Sequence, residues 1–246
     1  MKRKIKAGII GFGRFGKLIA KYLSKDFNIC FFDKKIKSAN KNGIGRMEFN
    51  PLKLVCQSDI IIICVPISEF KKLLYQIKGF IKKDALIVDV CSVKEYPIKL
   101  MGRILPKNIQ ILATHPLFGP DTASNSLKDR KIVLCRVRIS NRLYNNIKKF
   151  LRNKGLKIIE VSPEEHDKEI AKSLSLTHFI GRSLMEMKSS NVDIDTLGYK
   201  NLMEVLNTVK HDTWQLFLDM NHYNRFSEDV RKNFIKSAIN VNRMLK

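Results

Sequence analysis

No stretch of this 246-residue chain stays apolar for long. The longest such run, Ile60 to Pro66, falls far short of the roughly 20 residues a helix needs to cross a bilayer. The opening MKRKIK is basic, but the apolar residues behind it, Ala7 to Phe12, are few, broken by glycine and followed by no cleavage-like site, so no secretory signal is expected. Cysteine is scarce. Cys30, Cys56, Cys64, Cys91 and Cys135 make an odd number with no C-x-x-C pair, which argues against a disulfide framework and against zinc. Acidic residues are few too: 23 stand against 46 basic ones, a net charge of +23. Such an excess suggests nucleic acid, yet gripping a phosphate backbone needs the charge collected on one face. Apart from Lys2-Arg3-Lys4, lysines and arginines here stand singly or in pairs as far as Lys246 and form no basic arm. The chain is therefore expected to be soluble and cytoplasmic, with reduced thiols, no metal, no membrane and no nucleic-acid partner. A diffuse positive field would favour an acidic small molecule.

With 44% hydrophobic and 28% charged residues, the composition is that of a globular protein. Short apolar runs recur at Ile5 to Ile10, Ile29 to Phe32, Ile60 to Val65, Leu86 to Val90, Ile109 to Ala113, Ile132 to Leu134 and Lys157 to Val161. Each reads as a buried strand. Between them Phe15, Leu18, Ile19 and Tyr22, and again Phe70, Leu73, Leu74 and Ile77, repeat at helical spacing. Continuous apolar strands alternating with helices predict an α/β domain: a doubly wound, mainly parallel sheet of the Rossmann type over residues 1–161. The pattern changes at Ser162-Pro163-Glu164-Glu165, a helix start with Ser162 as cap and Glu165 closing a capping box. Residues 162–246 hold only helical patterns: about Glu164 to Lys188, Tyr199 to Lys210, Thr213 to Met220 and Ser227 to Leu245. So short a helical segment can hardly enclose a core alone, and a second copy of the chain is the expected partner.

Gly11-Phe12-Gly13-Arg14-Phe15-Gly16 follows the first strand and opens a helix. There the first glycine permits a tight turn, the second lets a pyrophosphate approach the backbone, and the third allows close helix packing. Free N–H groups at the helix start face the phosphates. Asp33, at the end of the second strand, is placed to accept a hydrogen bond from a ribose 2′-hydroxyl, which favours NAD; Lys34 and Lys35 could meet a 2′-phosphate, which keeps NADP open. Cys64-Val65-Pro66 ends another strand and should border the nicotinamide, with Ser68 as a cap of the next helix. Ser92, in Asp89-Val90-Cys91-Ser92-Val93-Lys94, reads as a cap or a substrate contact, and Lys94 as a solvated charge or an anion contact. His115, just past a strand and held extended by Pro116, is where a base could accept a hydroxyl proton during hydride transfer. His178 and Arg182 share a helix face as a polar pair; His211, Trp214 and His222 carry no motif.

These segments together resemble the prephenate and arogenate dehydrogenase family. Gly11 to Gly16, Val65-Pro66, Val88 to Glu95, His115-Pro116-Leu117-Phe118-Gly119-Pro120-Asp121, Glu165-His166-Asp167 and Thr177-His178-Phe179-Ile180-Gly181-Arg182 look like its landmarks. Asp195-Thr196-Leu197-Gly198-Tyr199-Lys200 and Tyr223-Asn224 are most similar to the plant-type arogenate enzymes. The resemblance implies an NAD(P)-dependent oxidative decarboxylation of prephenate or arogenate, with His115 deprotonating the ring hydroxyl, Ser92 contacting it, and the C-terminal helices forming a homodimer. Many bacterial members carry a carboxylate-gripping arginine in the helix that here contains Glu204. That leaves Arg182, Lys200 and Arg225, beside His178, as the expected substrate contacts. Asp121 and Glu204 are the acids that could meet a substrate amine. Two other readings compete: a β-hydroxyacid-type dehydrogenase using Lys168 or Lys172, and a nucleotide- or nucleic-acid-binding protein without catalysis.

Overall fold

The structure, a computed structural model, describes residues 5–36 and 47–245; the basic opening at 1–4 and Lys246 lie outside them. The chain divides into two compact units between Pro163 and Glu164. The first contains β1 (Lys6–Ile10), α1 (Arg14–Leu23), β2 (Asn28–Phe32), β3 (Glu48–Phe49), α2 (Leu52–Val55), β4 (Ile60–Ile63), α3 (Ile67–Ile77) and β5 (Leu86–Asp89). It continues through α4 (Glu95–Ile104), β6 (Gln110–Pro116), β7 (Lys131–Arg138), α5 (Asn141–Asn153) and β8 (Lys157–Glu160).

The strands form one sheet in the order β3-β2-β1-β4-β5-β6-β7-β8. Neighbours pair parallel except β6 and β7, which run antiparallel. Four isoleucines in a row make β4. Stiff β-branched chains suit a strand covered on both faces, and Ile61 and Ile63 are wholly buried. One core cluster gathers Leu18 from α1, Leu86, Leu112 and Leu134 from three strands, and Tyr144 from α5. A second joins Ala7 and Ile9 of β1 to Ile29 and Phe31 of β2. Each leucine, isoleucine or phenylalanine among them contributes about 1.5–3 kcal/mol when taken from water. From β1 the chain winds outward to β3, then returns to set β4 on the other flank of β1. That reversal opens a crevice at the carboxyl ends of β1 and β4, the place where ligands bind in open α/β sheets.

Three details depart from the sequence reading. β4 stops at Ile63, and α3 begins at Ile67 with Pro66 as its cap residue, so Ser68 sits inside the helix rather than capping it. β6 runs three residues further than expected and includes Thr114, His115 and Pro116, because β7 pairs with it there: Thr114 lies opposite Leu134, His115 opposite Val133 and Pro116 opposite Ile132. β3, only two residues long, has no apolar run to announce it.

The elements of the second unit among its described residues are all helical: α6 (Pro163–Ile170), a π-helical turn (Ala171–Ser175), α7 (Leu176–Glu186), α8 (Leu197–Lys210), α9 (Trp214–His222) and α10 (Ser227–Met244). Thr196 and Thr213 cap α8 and α9 by accepting hydrogen bonds from the backbone N–H groups of Tyr199 and Leu216, worth about 1 kcal/mol each. Buried polar groups tie the chain entering α10 to α6 and the π-helical turn: Asn224 donates to the Asp167 carbonyl at 2.8 Å, and the Ser227 hydroxyl donates to the Ser175 hydroxyl at 3.1 Å.

Candidate active site

Adjacent strands β1, β4, β5 and β6 bring four loops side by side at the carboxyl edge of the first unit. The glycine turn follows β1, Val65-Pro66 follows β4, Ser92 follows β5, and His115 lies in the last two residues of β6. Gly11 adopts φ +94°, and a Cβ on it would stand 2.4 Å from the Cys64 carbonyl oxygen, so this position accepts only glycine. Gly13 faces open space: a Cβ there would meet nothing within 4 Å. It precedes α1, whose first turn has no side-chain cap. A helix start without a side-chain cap, behind an open glycine, forms a cradle into which a pyrophosphate fits.

The neighbouring side chains keep this turn in shape. Asp33 accepts from the Phe12 N–H at 2.7 Å and from the Lys35 N–H at 2.8 Å, so its carboxylate braces the glycine turn as well as standing at the end of β2. A carboxylate has about four acceptor sites, which leaves capacity for ribose hydroxyls. Phe12 stacks on Phe31 with ring centroids 3.7 Å apart, and Phe15 packs partly buried against the core, so both contribute backbone rather than side chain to the turn. Arg14 pairs with Asp121, and Lys34 with Glu69 at 2.9 Å. Tyr22 donates to the Ala123 carbonyl at 2.7 Å and Lys21 to the Ser124 carbonyl at 2.7 Å, so α1 also holds the loop that follows His115.

On the β5 and β6 side, His115 is 6% exposed. Ser92 is 8% exposed and does not cap α4; its hydroxyl finds no hydrogen-bond partner among the described residues. A buried hydroxyl left unsatisfied costs about 1–3 kcal/mol, so the atom is poised for a ligand. Lys94 is neither solvated nor open to an anion: it is fully buried and bonded to Asp89 and to the Thr114 carbonyl. Nothing in the spacing of Asp89 and Lys94 foretold that pair. Thiol chemistry has no support here, because burial pushes Cys64 up to about 12 and Cys91 well above its usual range. The described residues contain no group of His, Cys, Asp and Glu able to hold a metal.

In the second unit α7 carries His178 and Arg182 on one face. Arg182 donates to the Asp212 carbonyl, lies with its guanidinium 5.5 Å from the centre of the Trp214 ring, and leaves its buried Nε without a partner among the described residues. Asp212 and Trp214 were invisible as partners in the sequence, where no motif links them to α7. Lys200 pairs with Asp195 at 3.4 Å and Arg225 with Glu164 at 3.2 Å. Lys168 and Lys172 pair with Glu164 and Glu169 on exposed surface, which removes the observation a lysine-based β-hydroxyacid mechanism would need.

His178 is 2% exposed, and its buried Nδ1 has no hydrogen-bond partner among the described residues. Burial first, and the Arg182 charge second, lower its pKa to about 4. A histidine whose folded pKa lies below its unfolded value is no burden above about pH 6.5, where both states are neutral. As pH falls from 6.5 to 4 the unfolded state takes up the proton and stability is lost, up to about 3 kcal/mol. Urea unfolding between pH 4 and 7 is expected to show this loss, flattened in His178→Gln; equal slopes for both proteins would remove His178 as its source.

Fold and edge together describe a doubly wound α/β protein of the nucleotide-binding kind. Residues 24–160 match the family model described as "Prephenate dehydrogenase, nucleotide-binding domain", and the chain belongs to the prephenate dehydrogenase family. That match begins after the glycine turn. Residues 183–246 match "TYRAAT1-like, C-terminal domain". The chain is 32% identical to arogenate dehydrogenase 2, chloroplastic, of Arabidopsis thaliana, over 89% of its own length and 64% of that protein. It is 26% identical to the probable arogenate/prephenate dehydrogenase of Methanocaldococcus jannaschii, over 94% of this chain and 54% of that one. The chain thus spans between half and two thirds of these relatives' length. Prephenate dehydrogenase from A. aeolicus, solved with hydroxyphenyl propionate and NAD+, has the same fold, with TM-score 0.78 at 18% identity over 99% of this chain and 91% of that one.

Proposed function

We propose that the chain is an NAD(P)-dependent dehydrogenase that oxidatively decarboxylates prephenate or arogenate in tyrosine biosynthesis. The observation that carries this reading is the order along one sheet edge: phosphate cradle, Val65-Pro66, unsatisfied Ser92 hydroxyl, His115. The backbone of Gly11 to Gly16 and the start of α1 would hold the pyrophosphate, and Asp33 the adenosine ribose. Val65 and Pro66 would border the nicotinamide, which when bound accepts a hydride from the hydroxyl-bearing ring carbon.

His115 takes the ring hydroxyl proton as the C–H electron pair departs. Ser92 donates to the same oxygen and fixes the hydroxyl beside the imidazole. The ring carboxylate leaves as carbon dioxide, its C–C electron pair closes the aromatic ring, and the ketone oxygen takes back the proton held on His115. The buried strand keeps water from that proton. Among His178, Arg182, Lys200 and Arg225, the unsatisfied Nε of Arg182 makes it the first candidate to hold a substrate carboxylate. Asp33 favours NAD over NADP through its negative charge.

Mixing the protein with prephenate or arogenate and with NAD or NADP, and following absorbance of the reduced nicotinamide, tests the reading. Turnover in at least one of the four mixtures is expected, and silence in all four refutes it. A homodimer through the C-terminal helices is part of the proposal: Ile235, Ile239 and Val241 of α10 stand exposed at 43%, 47% and 57%. Sedimentation at twice the chain mass supports it and a monomer rejects it. Cytoplasmic residence completes the proposal and is read by cell fractionation.

A further inference from the structure

We propose that Lys94 is a positioning residue, which grips the backbone carbonyl of Thr114 and so fixes the loop bearing Ser92 to the strand end bearing His115. This rests on the site reading above and goes beyond it, because it concerns what holds those two side chains in place and not which groups react. The observation lies in how the sheet ends. β5 and β6 pair in register only as far as Asp89 opposite Ala113. Beyond that point β6 continues through Thr114, His115 and Pro116 with β7 alone on its other side, while the chain leaves β5 for the Ser92 loop.

Where the ladder stops, side chains take over its work. Lys94 donates to the Thr114 carbonyl at 2.6 Å and to the Asp89 carboxylate. Asp89 in turn accepts from the Cys91 N–H at 3.0 Å, and the Thr114 hydroxyl donates to the Asp89 carbonyl at 2.7 Å. Lys94, Asp89 and Thr114 are all buried. A buried ion pair is poorly suited to adding stability, since desolvation cancels most of the attraction; what it supplies is a defined geometry. Here the geometry links the residue before His115 to the turn one residue ahead of Ser92. A base and a hydroxyl acting on one substrate oxygen need such a link, because a displacement near 1 Å costs about 100-fold in rate.

The test uses Lys94→Met, which keeps the length of the side chain and removes its charge, and Thr114→Val, which removes one hydroxyl bond. Three readouts are compared with the parent: dinucleotide affinity by fluorescence, kcat on the accepted substrate, and the ring signals of labelled His115 by NMR. Lys94→Met is expected to bind dinucleotide within threefold of the parent, to lose about 100-fold in kcat and to shift or split the His115 signals; Thr114→Val is expected to show a smaller change of the same kind. A folded Lys94→Met protein whose His115 signals match the parent's overturns the proposal, whatever its rate. If Lys94→Met does not fold, Asp89→Asn decides, since it removes the charge that holds the Lys94 ammonium beside the Thr114 carbonyl: unchanged His115 signals and kcat overturn the proposal, and a shift with loss of kcat supports it. If the parent turns over neither substrate, the functional reading fails by itself, while the His115 signals still decide whether Lys94 positions that strand.

Discussion

A His115→Asn variant is expected to lose about 1,000-fold in kcat while binding dinucleotide as the parent does. Asparagine can still donate or accept a hydrogen bond near the ring hydroxyl, but it cannot take up a proton at neutral pH. The loss therefore isolates proton transfer, whose contribution from a placed side chain is typically 100- to 10,000-fold. The location of His115 makes the experiment clean. It sits in β6, paired to β7 opposite Val133 and 6% exposed, so the backbone around the substitution is held by a ladder that does not depend on the imidazole. The glycine turn is three strands away in the sheet, beyond β5 and β4, and its bonds to Asp33 and to the Phe32 carbonyl involve no residue of β6. Single-turnover measurement with saturating cofactor separates the outcomes. A rate within a few-fold of the parent would show that His115 is not the base.

What could be read from the sequence here is what local chemistry determines. Ile60 to Ile63 could only be a covered strand, and the Gly11 to Gly16 turn carried its own explanation in a strand before it and helical spacing behind it. What could not be read depends on partners far along the chain. His115 was placed past its strand because the apolar run ends at Ala113, yet β7 supplies further pairing, and only the folded topology brings Val133 opposite. Asp33 read as a ribose ligand; that it also braces Phe12, 21 residues earlier, follows from β1 and β2 lying side by side. Lys94 is the sharpest case. A lone lysine after a strand is solvated by default, and its burial follows from two acceptors, Asp89 and the Thr114 carbonyl, whose meeting is decided by the β5 and β6 register. In the same way the pair His178 and Arg182 was visible at helical spacing, while the Asp212 carbonyl and the Trp214 ring that receive Arg182 were not.

Two glycine substitutions separate the fold of the phosphate cradle from its use, and they are expected to fail in different ways. In Gly16→Ala the new Cβ would stand 2.1 Å from the Gly11 carbonyl oxygen, which is backbone and cannot swing aside. Either α1 retreats from β1 or the Gly11 turn opens, and overpacking of this kind costs about 1–3 kcal/mol. Thermal unfolding should therefore shift down by several degrees, and dinucleotide affinity should fall by at least about 100-fold, because the N–H groups of the first helical turn move with α1. Gly13→Ala is the opposite case. Gly13 has φ −69°, which alanine adopts without strain, and the added methyl meets no protein atom within 4 Å. Its unfolding temperature should match the parent's. Dinucleotide affinity should still fall, since the methyl would occupy the open face over which the pyrophosphate approaches the backbone. A loss of binding without a loss of stability at Gly13, set against a loss of both at Gly16, is the signature of a phosphate lying on this turn. Parent-like binding by Gly13→Ala would mean that the cradle is an ordinary tight turn and that the dinucleotide, if bound at all, enters elsewhere along the edge.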